Sequence, residues 1–474
     1  MSEAFIQSHR YRFFAVGAIG TFMGTLEGSI LNVALPTLAD SLSASIDVVA
    51  WVILAFQLTV VSLLMVFGSV TQRRGYFFAY RFGYVFLILG SILSAASTTV
   101  FMLIGARVVQ AVGAAMFQAV GVGLVTTVFP PEERGKGIGL MVMMVSAGLM
   151  TGPPAGGFIL SVAPWQAIFL INIPIGLVGL WLTYRYLRKL PKPSLRVSVH
   201  FGGAVALSIV LGAGVFGLTQ LADHPVTDWR VWGVLLLAGI ALVSFVRLES
   251  DPRKALIGVG IFRNRQVIIA VIGMLVLFVS IAGVLILVPF YLERVKGFAP
   301  SHVGLYLMIM PVVMFVLAPL AGKLSDKIGY RLLTTLGLLM TALGLYLLHG
   351  LTAASPAGYV AWSLLVISVG VGVFNTPNTS ALMGSVGTGE RAISSSIISA
   401  TRNIGFALGI AMTTALFAHF QSYYAGEGSA SEVFVMAYRK VILISIGIVL
   451  AGVPLTFLRA NRVKKPEGVP PGLS

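Results

Sequence analysis

The chain has 474 residues, of which 57% are hydrophobic and only 10% charged. A soluble domain carries roughly a quarter charged residues, and a soluble chain this long would need about two or three wettable cores. Too few polar side chains exist to cover such cores, so the composition predicts an all-α membrane protein.

Counts exclude more. No cysteine is present, which removes disulfides, thiolate chemistry and Cys-based metal sites. His9, His224 and His302 lie in terminal or loop contexts without metal-ligand spacing, so no metal, cofactor or enzyme activity is expected. A net charge of +16 would suggest nucleic acid as the partner of a soluble protein. In a membrane protein charge sets orientation instead, and no nucleic acid is expected.

In chain order, apolar stretches fall at about 11–35, 48–70, 77–97, 100–127, 137–160, 166–187, 200–221, 229–247, 266–290, 301–321, 332–350, 357–382, 392–418 and 437–458. Each is long enough to cross roughly 30 Å of hydrocarbon at about 1.5 Å per residue. The first runs past twenty residues from Tyr11 and reads as a retained span, not a signal peptide. An even count puts both termini on one side. With that side taken as the cytoplasm, 25 of the 32 Lys and Arg fall on inward segments, five lie outside or at outer helix ends, and Arg107 and Arg402 lie within spans. The positive-inside rule then predicts cytoplasmic termini.

Span one holds the only carboxylate expected inside a span, Glu27, about 24 Å from its start. Such a group must line a cavity, pair, or take up a proton. Burial favours a neutral carboxyl group, so Glu27 would load and release a proton as solvent access alternates. Snorkelling to the outer headgroups, or one structural pair, is the alternative. Arg107 lies about 10 Å into span four, at comparable depth, and is the expected counterpart. Arginine keeps its proton, so it would tune Glu27 and not replace it as carrier; an arginine bonded to helix carbonyls is the competing reading.

Span five contains Gly152-Pro-Pro-Ala-Gly-Gly157. Its glycines permit close helix contact and its prolines bend the helix, so Gly152, Pro153, Gly156 and Gly157 read as a gate or hinge. Asn32, Gln57, Gln118, Asn375 and Asn378 are candidate cavity residues, with Pro36, Asn172, Pro174 and Pro377 as further polar or kinked positions. For any single one, helix–helix bonding is the safer reading. Arg402, near the middle of span thirteen, either orders the second half of the chain or binds an anionic group. Asp326 and Arg331, in the turn after span ten, suit a latch between the halves.

An internal repeat organises these features. Gly68-Ser-Val-Thr-Gln-Arg-Arg-Gly75 resembles Gly322-Lys-Leu-Ser-Asp-Lys-Ile-Gly329 at an offset of 254, with Gln72 in the place of Asp326. Gly113, Phe117-Gln118 and Glu133-Arg134 recur as Gly370, Phe374-Asn375 and Glu390-Arg391 at an offset of 257. Six spans do not fill that offset, so two are inserted between six-helix halves. The expected domains are 1–192 (first bundle), 193–262 (two inserted spans and a basic linker) and 263–474 (second bundle and basic tail). Parallel six-helix halves characterise one large transporter architecture.

The motifs match the major facilitator superfamily, and resemble its fourteen-helix drug:proton antiporter branch. Leu26-Glu-Gly-Ser-Ile-Leu-Asn-Val-Ala-Leu-Pro36 resembles that branch's first-helix motif, with Glu27 where an aspartate is usual. Arg107-Val-Val-Gln-Ala-Val-Gly113 looks like its fourth-helix motif, with Arg107 in the place assigned to proton transfer. Gly152-Pro153 and Gly156-Gly157 match the fifth-helix antiporter motif. Residues 322–329 match the cytoplasmic loop motif well and 68–75 poorly. The resemblance implies a monomeric, multi-pass plasma-membrane transporter that exchanges inward protons for outward lipophilic or monocationic compounds by alternating access. The branch also includes exporters of metabolites and lipids, for which Arg107 or Arg402 would contact an anionic substrate. Many relatives carry a further acid in later helices; this chain has none, which disfavours divalent cations and multi-proton coupling.

Overall fold

Inside hydrocarbon every backbone N–H and C=O must find its partner within its own segment, which leaves a single chain of apolar stretches little choice but helix. The computed structural model describes residues 9–130, 133–190, 201–223, 229–250, 262–385 and 391–458, and these form helices and turns with no strand among them. The first five helices are α1 (Arg10–Ser41), α2 (Ile46–Arg74), α3 (Tyr76–Ala95), α4 (Val100–Val128) and α5 (Arg134–Val162). A broken span follows, α6, made of a helical turn Ala167–Leu170, the helix Asn172–Arg185 and a 3-10 turn Leu187–Lys189. Helices α7 (Phe201–Asp223) and α8 (Trp229–Ser250) precede α9 (Arg265–Phe290), which ends in a π-helical turn (Tyr291–Val295). The last five are α10 (Pro300–Ile328), α11 (Tyr330–His349), α12 (Ala357–Gly384), α13 (Arg391–Tyr423) and α14 (Ala430–Phe457).

Among the described residues, 13 helices are long and apolar enough to cross a bilayer. Helix α7, with 23 residues, stands where the remaining expected span falls. Several helices overrun their expected limits: α1 continues to Ser41 and α13 to Tyr423. Hydropathy marks only the hydrocarbon, whereas a helix continues into the headgroup zone, where polar side chains meet water.

The helices form two pseudo-symmetric bundles. In the first, α1 packs on α4, α5 and α6, α2 on α4, and α3 on α4 and α6; in the second, α9 packs on α12, α13 and α14, α10 on α12, and α11 on α12 and α14. The repeat is physical. Gly75 and Gly329 both hold φ 86° at the turn after α2 and α10, a conformation that suits glycine. Their N–H groups donate to Thr71 O and Ser325 O, at 2.7 and 2.9 Å. A Cβ on Gly90 of α3 would lie 2.5 Å from Gln110 of α4, and one on Gly344 of α11 would lie 2.7 Å from Ile367 of α12, so small residues bring the same helix pair together in each half.

The bundles meet along two seams, α5 against α10 and α2 against α13, with α1 and α9 touching between them. Helix α7 packs on α2, α13 and α8, so the inserted hairpin lies on one seam. The expected domain boundary after residue 192 falls outside the described residues.

The start of α1 and the end of α14 belong to one face, here the terminal face; the opposite one is the distal face. One apolar core joins the bundles, and its first-bundle members (Ile30–Ala39, Ile46–Val61, Val100, Leu103 and Trp165–Phe169) all lie in the distal half. Toward the terminal face the first bundle has its own core, from Phe13 and Val16 to Phe129 and Leu187, without a residue of the second. Among the described residues the core shared by the halves is thus distal on the first-bundle side, and the terminal core of the first bundle is its own.

Candidate functional site

The distal half of the first bundle encloses the acid. Glu27 of α1 and Arg107 of α4 are each 1% exposed, and Arg107 Nη1 lies 2.5 Å from Glu27 Oε2. Nη1 also lies 2.5 Å from Gln110 Oε1, Nη2 donates to the Glu27 carbonyl at 3.2 Å, and Nε to the Val52 carbonyl at 3.4 Å. The guanidinium carbon sits 4.1 Å from the centroid of the Phe56 ring. Gln110 Nε2 donates to Ser91 Oγ at 2.8 Å. Asn172 of α6 donates through Nδ2 to Glu27 Oε1, and its own Oδ1 is buried without a partner among the described residues. Five helices, α1, α2, α3, α4 and α6, supply these groups.

Local sequence explains the convergence. Arg107 and Gln110 are three apart on α4 and share a face. Gly90 admits α3 against Gln110, which places Ser91 beside it. An isolated ion costs several kcal/mol to desolvate, but here the ion pair and its surrounding hydrogen bonds offset much of that cost. The arrangement can hold a charged carboxylate, or release it from its partner if a proton arrives. Gln110 and Asn172 are the residues that sequence reasoning did not place in the site; the three-residue spacing to Arg107 was the available signal for the first.

The gating candidates gather elsewhere. A Cβ on Gly152 would lie 2.8 Å from Ser29 Cβ, and one on Gly156 2.8 Å from the Ile30 carbonyl, so α5 lies directly on α1. Gly157 makes the same close approach to Ser301 of α10, and Gly304 of α10 to the backbone of Pro153. Both contacts are in the distal half. An ion pair absent from the sequence reasoning spans the bundles nearby: Arg294 Nη2, just past α9, lies 2.5 Å from Asp40 Oδ1 at the end of α1. Arg331 stacks on Phe457, 4.1 Å from its centroid. The Asp326 side chain lies outside the described residues.

Asn378 is buried and donates to the Ala270 carbonyl at 2.9 Å, a bond between α12 and α9 inside the second bundle. Asn32, Gln118 and Asn375 are half-buried. Gln57 has a buried Oε1 without a partner among the described residues. Arg402 is half-buried, with no hydrogen bond or ion pair among the described residues.

Two repeated bundles around a distal junction, with a buried ion pair in one of them, define a polytopic transport protein. The sequence profile of the Major Facilitator Superfamily matches residues 17–410. The chain belongs to that superfamily: it is a secondary transporter of small molecules that works by alternating access, and not an enzyme. It is 33% identical to the riboflavin transporter RibZ of Clostridioides difficile (strain 630) over 94% of this chain and 97% of the relative. It is 29% identical to the multidrug resistance protein Stp of Mycobacterium tuberculosis (strain ATCC 25618 / H37Rv) over 85% of this chain and 75% of the relative. Among solved structures, the peptide transporter POT in complex with sulfate superposes with a TM-score of 0.69 at 15% identity, over 94% of each chain. That likeness concerns the fold alone.

Proposed function

We propose that the protein is a proton-driven antiporter that exports hydrophobic or monocationic compounds across the plasma membrane, with its termini in the cytoplasm. The observation that carries this reading is the Glu27–Arg107 pair, a titratable acid held 1% exposed inside a span. In the arrangement joined at the distal half, Glu27 accepts from Arg107 and Asn172, and Arg107 also donates to Gln110. Rocking that parts Gly157 from Ser301 also moves α1, which α5 contacts directly, and brings water to Glu27 from the distal side. A proton arriving there neutralises the carboxylate, and Arg107 keeps its Gln110 and backbone bonds. Substrate leaves on that side, and the proton leaves on the terminal side after the return. Division into units at 192 and 262, a monomeric state and one proton per cycle belong to the same reading. The relatives favour organic substrates, since one is named for riboflavin and another for multidrug resistance.

The test is proton release on adding substrate to purified protein in weak buffer, for wild type and Glu27→Gln. Release in the wild type and none in the variant is expected. Equal release from both would remove Glu27 from the coupling step.

A second reading, export of an organic anion, rests on a different residue. Arg107 spends its donors on Glu27, Gln110 and Val52, whereas Arg402 has no partner among the described residues. A substrate carboxylate or phosphate would therefore go to Arg402. Arg402→Gln should abolish competition by organic anions and leave competition by cationic dyes unchanged.

A further inference from the structure

Where α2 meets α3 at the terminal face, Arg73 and Arg74 at the end of α2 and Arg81 of α3 surround a recess of about 330 Å³ that is also lined by Phe77, Phe78 and Phe82. This volume is at the lower end of the roughly 300–1,000 Å³ of small-molecule sites. All three arginines are exposed. Arg74 lies 4.9 Å from the centroid of Phe78, Arg81 lies 5.4 Å from those of Phe82 and Tyr184, and Phe78 and Phe82 are 4.7 Å apart. The rings thus lie within cation–π reach of Arg74 and Arg81.

No carboxylate among the described residues balances the charge at this point of the terminal face. Among the described residues no carboxylate pairs with Arg73, Arg74 or Arg81, whereas Arg10 on the same face pairs with Glu133 at 3.0 Å. The repeat sharpens the contrast, because the equivalent turn of the second bundle keeps Asp326 where this one has Gln72. The first-bundle copy thus has an amide in place of the acid, beside cations and aromatic rings. Position selects what would neutralise them. Arg81 begins a row that continues through Val85, Leu89 and Ile92, which are 40%, 44% and 46% exposed on the lipid-facing side of α3. The spacing of four, four and three residues keeps the row on one helix face. Arg81 lies five residues into α3, about 7.5 Å along the helix, which is headgroup depth.

We infer that this recess binds the phosphate headgroup of an anionic phospholipid from the leaflet at the terminal face, with an acyl chain along Val85, Leu89 and Ile92. A soluble anion would use the arginines and ignore the apolar row; a lipid uses both. Phosphate groups favour planar guanidinium donors over point charges.

The full-length protein in mild detergent, stripped of lipid, is titrated with phosphatidylglycerol or phosphatidylcholine, and bound lipid is counted by native mass spectrometry. Wild type should prefer phosphatidylglycerol, and R73Q/R74Q/R81Q should weaken that binding roughly tenfold or more while leaving phosphatidylcholine unchanged. The charge-matched control R185Q/R188Q/K189Q removes the same charge from the same face and should stay within about twofold. If circular dichroism shows that the glutamine variant does not fold, R73K/R74K/R81K decides. It keeps the charge but loses the planar guanidinium forks, and should bind phosphatidylglycerol several-fold more weakly. An equal loss in the control, no preference for phosphatidylglycerol in the wild type, undiminished binding in the lysine variant, or displacement by millimolar inorganic phosphate would each overturn the assignment.

Discussion

Gly157 of α5 and Ser301 of α10 approach so closely that a Cβ on the glycine would lie 2.9 Å from Ser301 Cα. They belong to different bundles, so the distal closure is backbone against backbone. Overpacking at such a contact costs about 1–3 kcal/mol. Here that cost falls only on the distally joined arrangement, so Gly157→Val should shift the population toward distal opening by roughly tenfold or more. Because the chain has no native cysteine, a single cysteine placed at Ala155 reports this cleanly. Its labelling by a membrane-impermeant maleimide should quicken, and transport should fall. Unchanged labelling with normal transport would count against a gate at this point.

The buried pair makes a different prediction. Removing one partner of a buried ion pair leaves the other uncompensated and costs about 3–5 kcal/mol. Arg107→Ala should therefore lower the melting temperature strongly, and Glu27→Gln/Arg107→Ala should recover a large part of the loss, since the neutral amide no longer needs a cation. Additive effects in thermal unfolding of the purified variants would show that the two side chains do not act as a unit.

The Asp40–Arg294 pair is solvent-exposed, 64% and 39% respectively, so its contribution to overall stability should be small, about 0–1 kcal/mol. Its placement between bundles makes it a conformational contact. Asp40→Asn should leave the melting temperature nearly unchanged yet broaden spin-label distances between the distal ends of α1 and α9. The exchange Asp40→Arg/Arg294→Asp should restore the narrow distribution. A broad distribution in the exchange variant would mean that geometry, not charge, sets the contact.

Gly90 tests the support of the site. A methyl group there would meet the backbone and Cβ of Gln110 at 2.5 Å. Something must shift, and α4 carries Arg107 with it. Gly90→Ala should cost about 1–3 kcal/mol and impair substrate-driven proton release, although residue 90 touches neither charge. Full retention of both stability and release would show that α3 and α4 can part without moving the pair.

Much of this was legible in one dimension. Helix number follows from apolar length, and the two-bundle repeat from glycines at nearly constant offset, because both are properties of a line of residues. Glu27 and Arg107 stood out because charges within spans are rare. The remaining network was hidden for a physical reason: an amide in a span looks the same in sequence whether it faces a charge, a carbonyl or lipid. Gln110 and Asn172 therefore blended with Asn378, which ties α12 to α9. Asp40 and Arg294, 254 residues apart, read as ordinary helix-end charges until the fold joined them. Span ends were also short in the reading, since hydropathy stops at the hydrocarbon and the helix does not.

The inserted hairpin has one further consequence. Helix α7 rests on α2 and α13 together, and so bridges the line along which those helices must part. Among the described residues the opposite line, α5 against α10, has no such cover, and both helices there carry exposed large apolar side chains, among them Val142, Met143, Phe315 and Val316. A compound dissolved in the bilayer therefore meets a roofed side and a bare side. Among the described residues, two bundles built on the same plan thus offer the surrounding lipid one covered and one uncovered approach to the space between them.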